Sequence, residues 1–445
     1  MESEKMGNLK KILFIDATLH KKNATAITLS NLFSSWPKEN LFMVGSQEMV
    51  QLSKLDGYLN NFGLDDKDYY HRFPLGIFLN LWKLFRKKNS DLSTKETPKT
   101  RSNSLNTTGI TKKYSFWSLC FVFFQRLGLD HLFFRQIISN ELRSWIKKSD
   151  PDYFYAVLST RHSILFAEKL LVEFNKPIII HIMDDWPSTI GSDCVFKKYW
   201  NKKINLELKK LLSNVYKRVA ISEFMALEFE SRFGGKWDYF HNPIHLPNWL
   251  PYQRKIISSN SGMIKIAYFG RIGRANDKAF LTFVDAIKEL IEVHLVSVQI
   301  NIYSNNLLPN AYLGLDFIKV HGFINHTEIP KEIVGYDYLI LPLSFNDKDI
   351  AFSRLSIPTK LSEYLISGVP VILFAPKETA AYKFVVETNS AFVIDTPVTT
   401  DVAVRLRQFF SDENKQYEIS KNARMVANQN FSSEIIDYKF SSLFT

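Results

Sequence analysis

The sequence predicts an α/β protein made of two Rossmann-like, doubly wound domains that face each other across a cleft. Three observations lead to this prediction. The 445-residue chain is too long for one ordinary hydrophobic core. Short β-rich apolar segments alternate with amphipathic helical segments, which is typical of a parallel sheet covered by helices. A segment rich in Pro, Ser and Asn, residues 241–263, interrupts this alternation, which then starts again.

The first alternation defines an N-terminal domain over residues 1–245. Apolar runs bounded by polar residues predict its strands, and apolar positions at helical spacing predict its helices. The strands are expected at residues 10–16, 40–46, 151–159, 176–187 and 216–222, and the helices at 25–33, 163–174, 201–215 and 223–234.

Residues 246–263 form the predicted linker, and residues 264–430 the second domain. A C-terminal tail, residues 431–445, is expected to pack back on the first domain. The strands of the second domain are expected at 264–270, 296–304, 317–323, 337–343 and 369–376, and its helices at 278–291, 328–336, 358–368 and 401–432. A long polar loop is expected between residues 343 and 358.

Positive charge is concentrated in one polar segment. The chain has a net charge of +11, and residues 86–113 hold eight Lys and Arg against two acidic residues. Few apolar residues and no periodicity predict a flexible insertion over about residues 87–113. It is either a solvated linker or a surface that meets anionic lipid, since the flanking aromatic segments suit a membrane interface as well as a core.

The composition favours a cytoplasmic protein, either free or peripheral on the inner face of the plasma membrane. The sequence has no run of about 18 apolar residues that could span a bilayer. Its start lacks the apolar stretch of a secretory signal. Two cysteines, Cys120 and Cys194, argue against a disulfide framework.

Ligands of doubly wound sheets bind beyond the carboxyl ends of the strands. After the strand at 264–270, Gly270 lets a ligand approach the backbone, and Arg271 and Lys278 can bind phosphate oxygens. A turn with solvated basic residues would have the same composition, so this segment alone does not decide between the two.

The segment "SIPTKLSEYLISGVPVI" carries the most specific signal. Ser356 and Pro358 suit the start of a helix, and Thr359 and Lys360 follow in its first turn. The partial positive charge of a helix N-terminus beside a lysine favours an anion. Glu363 lies on the same face and suits the hydroxyls of a ribose. We interpret the segment as a nucleoside diphosphate site, with ordinary helix capping as the alternative.

Polar side chains at other strand ends predict the opposite wall of the cleft. Asp184 and Asp185 precede Trp186 at the end of one strand, and we interpret the two carboxylates as functional. Further residues expected on the acceptor side are Arg161, His162, His181 and Trp186. The Arg-His pair and His181 also fit structural roles.

These motifs resemble those of retaining GT-B glycosyltransferases of family 4. The segment at 356–372 looks like their donor-site signature, and "YFGRIGRANDK", "VAISEFMALEFESRFG", "FHNPI" and "HIMDDWP" are similar to other parts of the family pattern. The resemblance implies that Arg271 and Lys278 hold a donor diphosphate, that Thr359 and Lys360 contact the distal phosphate and sugar, and that Glu363 holds the ribose. It implies no cofactor.

Two departures from the family pattern stand out. The family usually has a second glutamate eight positions before the ribose-binding one, and Leu355 occupies that position here. The sugar contact is then expected from the backbone N–H groups of residues 355–358. The glycine-rich loop of the family's N-terminal domain is also missing, and Lys21, Lys22 and Asn23 are expected in its place.

The resemblance further implies transfer by front-face displacement, with retention. Arg271 and Lys360 would stabilise the leaving diphosphate without a metal ion, and Asp184 or Asp185 would orient the acceptor. The expected partners are a nucleotide-sugar donor, a glycan or lipid-linked acceptor and an anionic membrane surface, with no nucleic acid. The alternatives are a nucleotide-sugar epimerase of the same architecture and a non-catalytic polyanion-binding module.

Overall fold

Two parallel sheets organise the chain. The structure is a computed structural model that describes residues 10–71, 123, 126–129, 131, 134–190, 194–255, 262–273, 275–304, 312 and 314–445. The predicted insertion at about 87–113 and Cys120 lie outside the described residues.

The N-terminal sheet has seven strands in the order β3-β2-β1-β6-β7-β8-β9, and all neighbours pair in parallel. All residues of β1 and β7 are buried, as expected for central strands covered by helices on both faces. A separate antiparallel pair joins β4 and β5. The strands are β1 Ile12–Ile15, β2 Leu41–Ser46, β3 Asn61–Leu64, β4 Tyr69–His71, β5 Phe134–Gln136, β6 Tyr153–Val157, β7 Ile178–Ile182, β8 Lys217–Ala220 and β9 Asp238–Tyr239.

The second sheet has six strands in the order β12-β11-β10-β13-β14-β15, again all parallel. Its strands are β10 Ile264–Phe269, β11 Val298–Tyr303, β12 Ile318–Gly322, β13 Tyr338–Pro342, β14 Val371–Phe374 and β15 Phe392–Ile394. The two sheets confirm the predicted pair of doubly wound α/β domains.

Helices cover both sheets. They are α1 Ala24–Leu32, α2 Gln47–Leu55, α3 Asn140–Ser149, α4 Arg161–Phe174, α5 Trp186–Thr189, α6 Lys197–Leu212, α7 Glu223–Phe233, α8 Asp277–His294, α9 Ile329–Ile333, α10 Asp347–Ser353, α11 Thr359–Ser367, α12 Ala380–Thr388, α13 Thr399–Phe410, α14 Glu413–Asn430 and α15 Ser433–Ser441. The prediction of a polar loop between residues 343 and 358 was wrong in part, because α10 lies inside this segment. Its short, acid-rich sequence has little helical periodicity. Within the described ranges, no helix has the length and apolar character needed to cross a membrane.

The end of the chain packs on the N-terminal domain. The Phe440 ring lies 4.9 Å from that of Phe33, and the Phe444 ring lies 5.2 Å from that of Trp36. Both C-terminal rings belong to the apolar cluster that covers one face of β1. The chain therefore crosses from the second domain back to the first.

Loops at the carboxyl ends of strands in both sheets meet at the domain boundary. Ser222, just after β8, donates a hydrogen bond to the carbonyl oxygen of Leu355, and Leu355 packs into the N-terminal core. Arg354 lies 3.4 Å from a carboxylate oxygen of Asp185, which follows β7. The edges where ligands bind in such sheets therefore face each other.

Candidate functional site

The N-terminus of α11 points to an anion site. Pro358 occupies the N-cap position, and no side chain caps the helix. The first N–H groups of an α-helix lack partners within the helix and carry a partial positive charge. Thr359 and Lys360 form the beginning of this helix, with Ser356 just before it. The four residues therefore surround a place suited to phosphate oxygens.

Lys360 is held against the end of β10. Its Nζ donates a hydrogen bond to Tyr268 Oη at 2.8 Å and lies 4.4 Å from the centre of the tyrosine ring. Tyr268 in turn donates to the backbone oxygen of Arg271 at 2.7 Å. These contacts fix the position of the ammonium group before any ligand binds.

Gly270 leaves the space that Lys360 occupies. The glycine has φ +134°, and a Cβ atom built on it would lie 2.2 Å from Lys360 Nζ and 2.3 Å from Cε. A side chain at this position would therefore strain the backbone and displace the cation.

We expect Gly270→Ala to weaken nucleoside diphosphate binding at the predicted anion site at least tenfold and to lower the melting temperature. The added methyl group would move the lysine, whose position sets the charge at this site. Gly273→Ala is the matched control, since a Cβ there meets no described atom within 4 Å. Titration with UDP and thermal unfolding measure the two effects. Equal behaviour of the two variants would refute the packing argument.

Arg271 and Lys278 are the other two basic residues of the predicted donor site, and both are exposed. Arg271 is exposed directly after β10, so its guanidinium is free to turn toward a ligand. Lys278 is exposed in the first turn of α8, where its backbone N–H donates to Asp277. The structure brings Gly270, Arg271 and Lys360 together and leaves the Lys278 side chain at the surface.

Glu363 has a partner that the sequence did not reveal. His326 Nε2 donates to Glu363 Oε1 at 2.7 Å, and the glutamate side chain is only 13% exposed. The hydrogen bond and charge of Glu363 raise the pKa of His326, while burial and, to a smaller extent, nearby Lys21 of the N-terminal domain oppose this. His326 follows β12, so the rule that ligands meet strand ends could have identified it.

A cavity opens beside this pair. It has a volume of about 440 Å³ and lies between α1, the segment after β9 and α9. Lys21, Trp249, His326 and Glu363 are among the residues that line it. A cavity of this size accommodates part of a nucleotide, and its walls come from both domains.

Asp185 lies in a buried ion-pair network. Its side chain is fully buried, and both carboxylate oxygens lie 2.9 Å from Arg232 nitrogens. Ser188 also donates to it, at 2.8 Å. These partners occupy the carboxylate, so the structure gives Asp185 a role in holding the loop after β7.

Asp184 is the exposed member of the acidic pair. It is exposed at the edge, yet the protein around it excludes enough water to raise the pKa of its carboxyl, and the charge of Asp185 adds to the shift. A hydrogen bond from the Trp186 backbone works against this. Asp184 therefore keeps a carboxyl group available at the strand end.

Two residues expected on the acceptor side have other roles. Arg161 is buried and bonds Glu207 through two nitrogens, each at 2.6 Å. His181 is fully buried with Nδ1 2.7 Å from Tyr155 Oη, and burial lowers its pKa to about 3. Tertiary packing buries both side chains inside the N-terminal domain, and their acceptor-side role stays a prediction.

The remaining acceptor-side candidates are less decisive. Trp186 is 7% exposed in the first turn of α5, and its side chain belongs to the N-terminal core. His162 is half-buried in the first turn of α4. Neither position places a side chain clearly in the cleft.

The loop after β1 carries the residues expected in place of a glycine-rich loop. Asn23 caps α1 by accepting a hydrogen bond from the Ala26 backbone at 2.8 Å. Lys22 is exposed, and Lys21 reaches the cavity beside Glu363. In the described part of the chain, no group of three His, Cys, Asp or Glu residues is arranged to hold a metal ion.

Residues 264–412 match the protein family described as "Glycosyl transferases group 1". Among curated proteins, no sequence matches the chain. The matched residues make up most of the second domain, including α11 and the loop after β10.

Several solved structures share the fold over nearly the whole chain. HepE from Anabaena in complex with UDP-glucose is 14% identical with a TM-score of 0.58, and the match covers 97% of this chain and 98% of that one. Sucrose-phosphate synthase from Thermosynechococcus elongatus is 12% identical with a TM-score of 0.58, covering 97% of each chain. TarM is 12% identical with a TM-score of 0.58, covering 99% of each chain. The chain has the GT-B fold of these structures.

Proposed function

We propose that this protein is a glycosyltransferase that moves a sugar from a nucleoside diphosphate to a hydroxyl group of a glycan or lipid-linked acceptor. The observation that carries the proposal is the placement of Lys360 at the uncapped start of α11, against the end of β10, with Glu363 one turn later. This arrangement offers positive charge to a diphosphate and a carboxylate to a ribose.

The reaction breaks the bond between the anomeric carbon and a diphosphate oxygen, and forms a bond from that carbon to the acceptor oxygen. The acceptor hydroxyl loses its proton, and the leaving diphosphate gains negative charge. Lys360, Arg271 and the start of α11 stabilise that charge as it develops, which is where such groups lower the barrier most. In this proposal no metal ion is required.

Retention of the anomeric configuration is a further part of the proposal. It is supported by the family pattern at residues 356–372. In front-face displacement the departing diphosphate oxygen takes the acceptor proton, so no strong base is needed. Asp184, at the end of β7, is placed to orient the acceptor or the positive charge on the sugar.

The sugar itself is held without the carboxylate usual in the family. Leu355 packs into the N-terminal core, so its side chain is directed away from a donor at α11. We propose that backbone N–H groups of residues 355–358 contact the sugar hydroxyls. Donor choice then depends on the shape of this loop more than on a charged side chain.

The comparisons support the donor class. The second domain matches a glycosyltransferase family, and the similar HepE structure contains UDP-glucose. UDP-sugars are therefore the first donors to test. A cytoplasmic location at a membrane surface, where the basic segment at 87–113 meets anionic lipid, is proposed from the sequence pattern alone.

We expect Glu363→Ala to weaken nucleoside diphosphate binding by about 10- to 100-fold, the loss of one or two hydrogen bonds to a charged group. Thermal stabilisation by UDP, GDP and ADP measures it. A ligand at 100 times its dissociation constant should stabilise the wild-type protein by about 2.7 kcal/mol.

Glu387→Ala is the control for this experiment. Glu387 is an exposed glutamate on α12 of the same domain. The Glu387→Ala variant should bind nucleotides as the wild-type protein does. A wild-type protein that binds no nucleoside diphosphate, or a Glu363 variant that binds normally, contradicts the proposed function. Conversion of the nucleotide sugar into its epimer, without any acceptor product, would favour an epimerase.

A further inference from the structure

Asp16 stands at the carboxyl end of the central strand of the N-terminal sheet. It follows β1 directly and has φ +54°, a left-handed conformation that few non-glycine residues adopt. Such backbone strain persists only where the surrounding structure enforces it.

The edge on which Asp16 lies is the one that faces the second domain. Two contacts show this. Asp185, after β7, lies beside Arg354 of the second domain. Lys21, five residues after Asp16, lines the cavity that Glu363 also lines. Asp16 therefore sits in the cleft wall.

Its lateral position suits an acceptor. In the sheet order, β6 lies between β1 and β7. Strands of a sheet are about 4.8 Å apart, so Asp16 and Asp184 follow strands separated by about 10 Å. The two strand ends are therefore far enough apart for a sugar ring to reach both carboxyl groups across the end of β6.

The carboxyl group of Asp16 has one neutral partner. Gln136 Nε2, from β5, donates to Asp16 Oδ1 at 3.2 Å. Among the described ion pairs, none includes Asp16. Tyr69 and Asp68 are nearby titratable groups that carry no positive charge, and the Lys169 ammonium donates to the backbone oxygen of Gln136 at 3.4 Å. Burial raises the pKa of Asp16 to about 6, with the hydrogen bond from Gln136 working against this.

A strained, desolvated carboxyl group without a cation destabilises a fold, and such groups concentrate where a ligand uses them. The Asp16 carboxylate can accept more hydrogen bonds than the one from Gln136, so a ligand that binds it would supply hydrogen-bond donors. Hydroxyl groups supply such donors without adding charge. Gln136 adds an amide at the same place, which suits a polyhydroxylated ligand.

We propose that Asp16 binds the acceptor, its carboxylate accepting a hydrogen bond from an acceptor sugar hydroxyl while Gln136 orients it. This inference rests on the proposed function. It places the acceptor between the ends of β1 and β7, opposite the donor at α11.

The test is Asp16→Asn, which removes the charge and keeps the size. Asparagine tolerates the left-handed conformation, and the chain itself places Asn175 at φ 50° and Asn389 at φ 45°. The probes are UDP and octyl glycosides of glucose, galactose, mannose and N-acetylglucosamine. Binding of each glycoside to the UDP-loaded protein is measured by saturation-transfer NMR.

We expect at least one glycoside to bind the wild-type protein and to bind the variant at least tenfold more weakly. UDP affinity should stay unchanged, and the melting temperature at neutral pH should rise because a desolvated charge is gone. Wild-type glycoside binding should strengthen as the pH rises through about 6, when Asp16 ionises. The variant should lack this pH dependence.

Asp150→Asn is the matched control. Asp150 also has positive φ, 42°, but it ends α3 and pairs with Lys176 at the surface. The Asp150→Asn substitution should leave glycoside binding unchanged. Equal glycoside binding by the Asp16 variant, or no glycoside binding by a wild-type protein that binds UDP, overturns the inference alone. Failure of the wild-type protein to bind any nucleoside diphosphate instead overturns the proposed function.

Discussion

Lys360→Met should slow sugar transfer by about 100- to 1,000-fold, the range found when one preorganised charge-stabilising group is removed. The lysine ammonium lies 2.8 Å from Tyr268 Oη, at the start of α11, where the leaving diphosphate would gain charge. Methionine keeps the length and helix propensity of the side chain. Release of UDP from a UDP-sugar measures the rate.

Donor binding should change much less than turnover in this variant. The ground-state diphosphate already carries charge, but the additional charge appears only as the bond breaks, and an interaction that strengthens then lowers kcat. Lys331→Met is the control, because Lys331 is an exposed lysine on α9 of the same domain. Turnover within threefold of the wild-type value would exclude Lys360 from the reaction.

Arg232→Met should lower the free energy of unfolding by about 3 kcal/mol, the lower part of the range for breaking a buried ion pair. The side chain of Asp185 is fully buried, and the variant removes both 2.9 Å contacts from Arg232. Arg354 stays at 3.4 Å and compensates in part. Urea unfolding measures the change.

Arg143→Met is the matched control for this prediction. Arg143 pairs with Glu173, and both side chains are about one third exposed, so losing this pair should lower stability by about 1 kcal/mol or less. Adding Asp185→Asn to Arg232→Met should recover part of the loss, because the unpaired charge is then gone. Equal destabilisation by the two arginine variants would show that Asp185 is not held as described.

The donor half of the site could be predicted because its residues are close in sequence. Thr359, Lys360 and Glu363 lie in one helix, so helical spacing alone placed them on one face, and Ser356 and Pro358 precede its start. The structure adds the packing of Lys360 against Gly270, which directly follows β10.

The acceptor half could not be predicted in the same way. Asp185 and Arg161 have suitable side chains at strand ends, but Arg232 and Glu207 occupy them, and these partners lie 47 and 46 residues away. The His326 and Glu363 pair spans 37 residues, and Asp16 meets Gln136 across 120. No local pattern records such contacts.

The sequence by itself predicted the two parallel sheets and the helix that begins at Thr359, because these depend on short-range periodicity and helix-end chemistry, but it did not predict the edge strands β3, β9 and β15. Only the tertiary structure decided which polar groups face the cleft. That decision depends on burial and on partners from distant segments. Arg232 lies beside Asp185 and occupies its carboxylate, whereas no ion pair among the described residues includes Asp16, which we propose as a ligand-binding group.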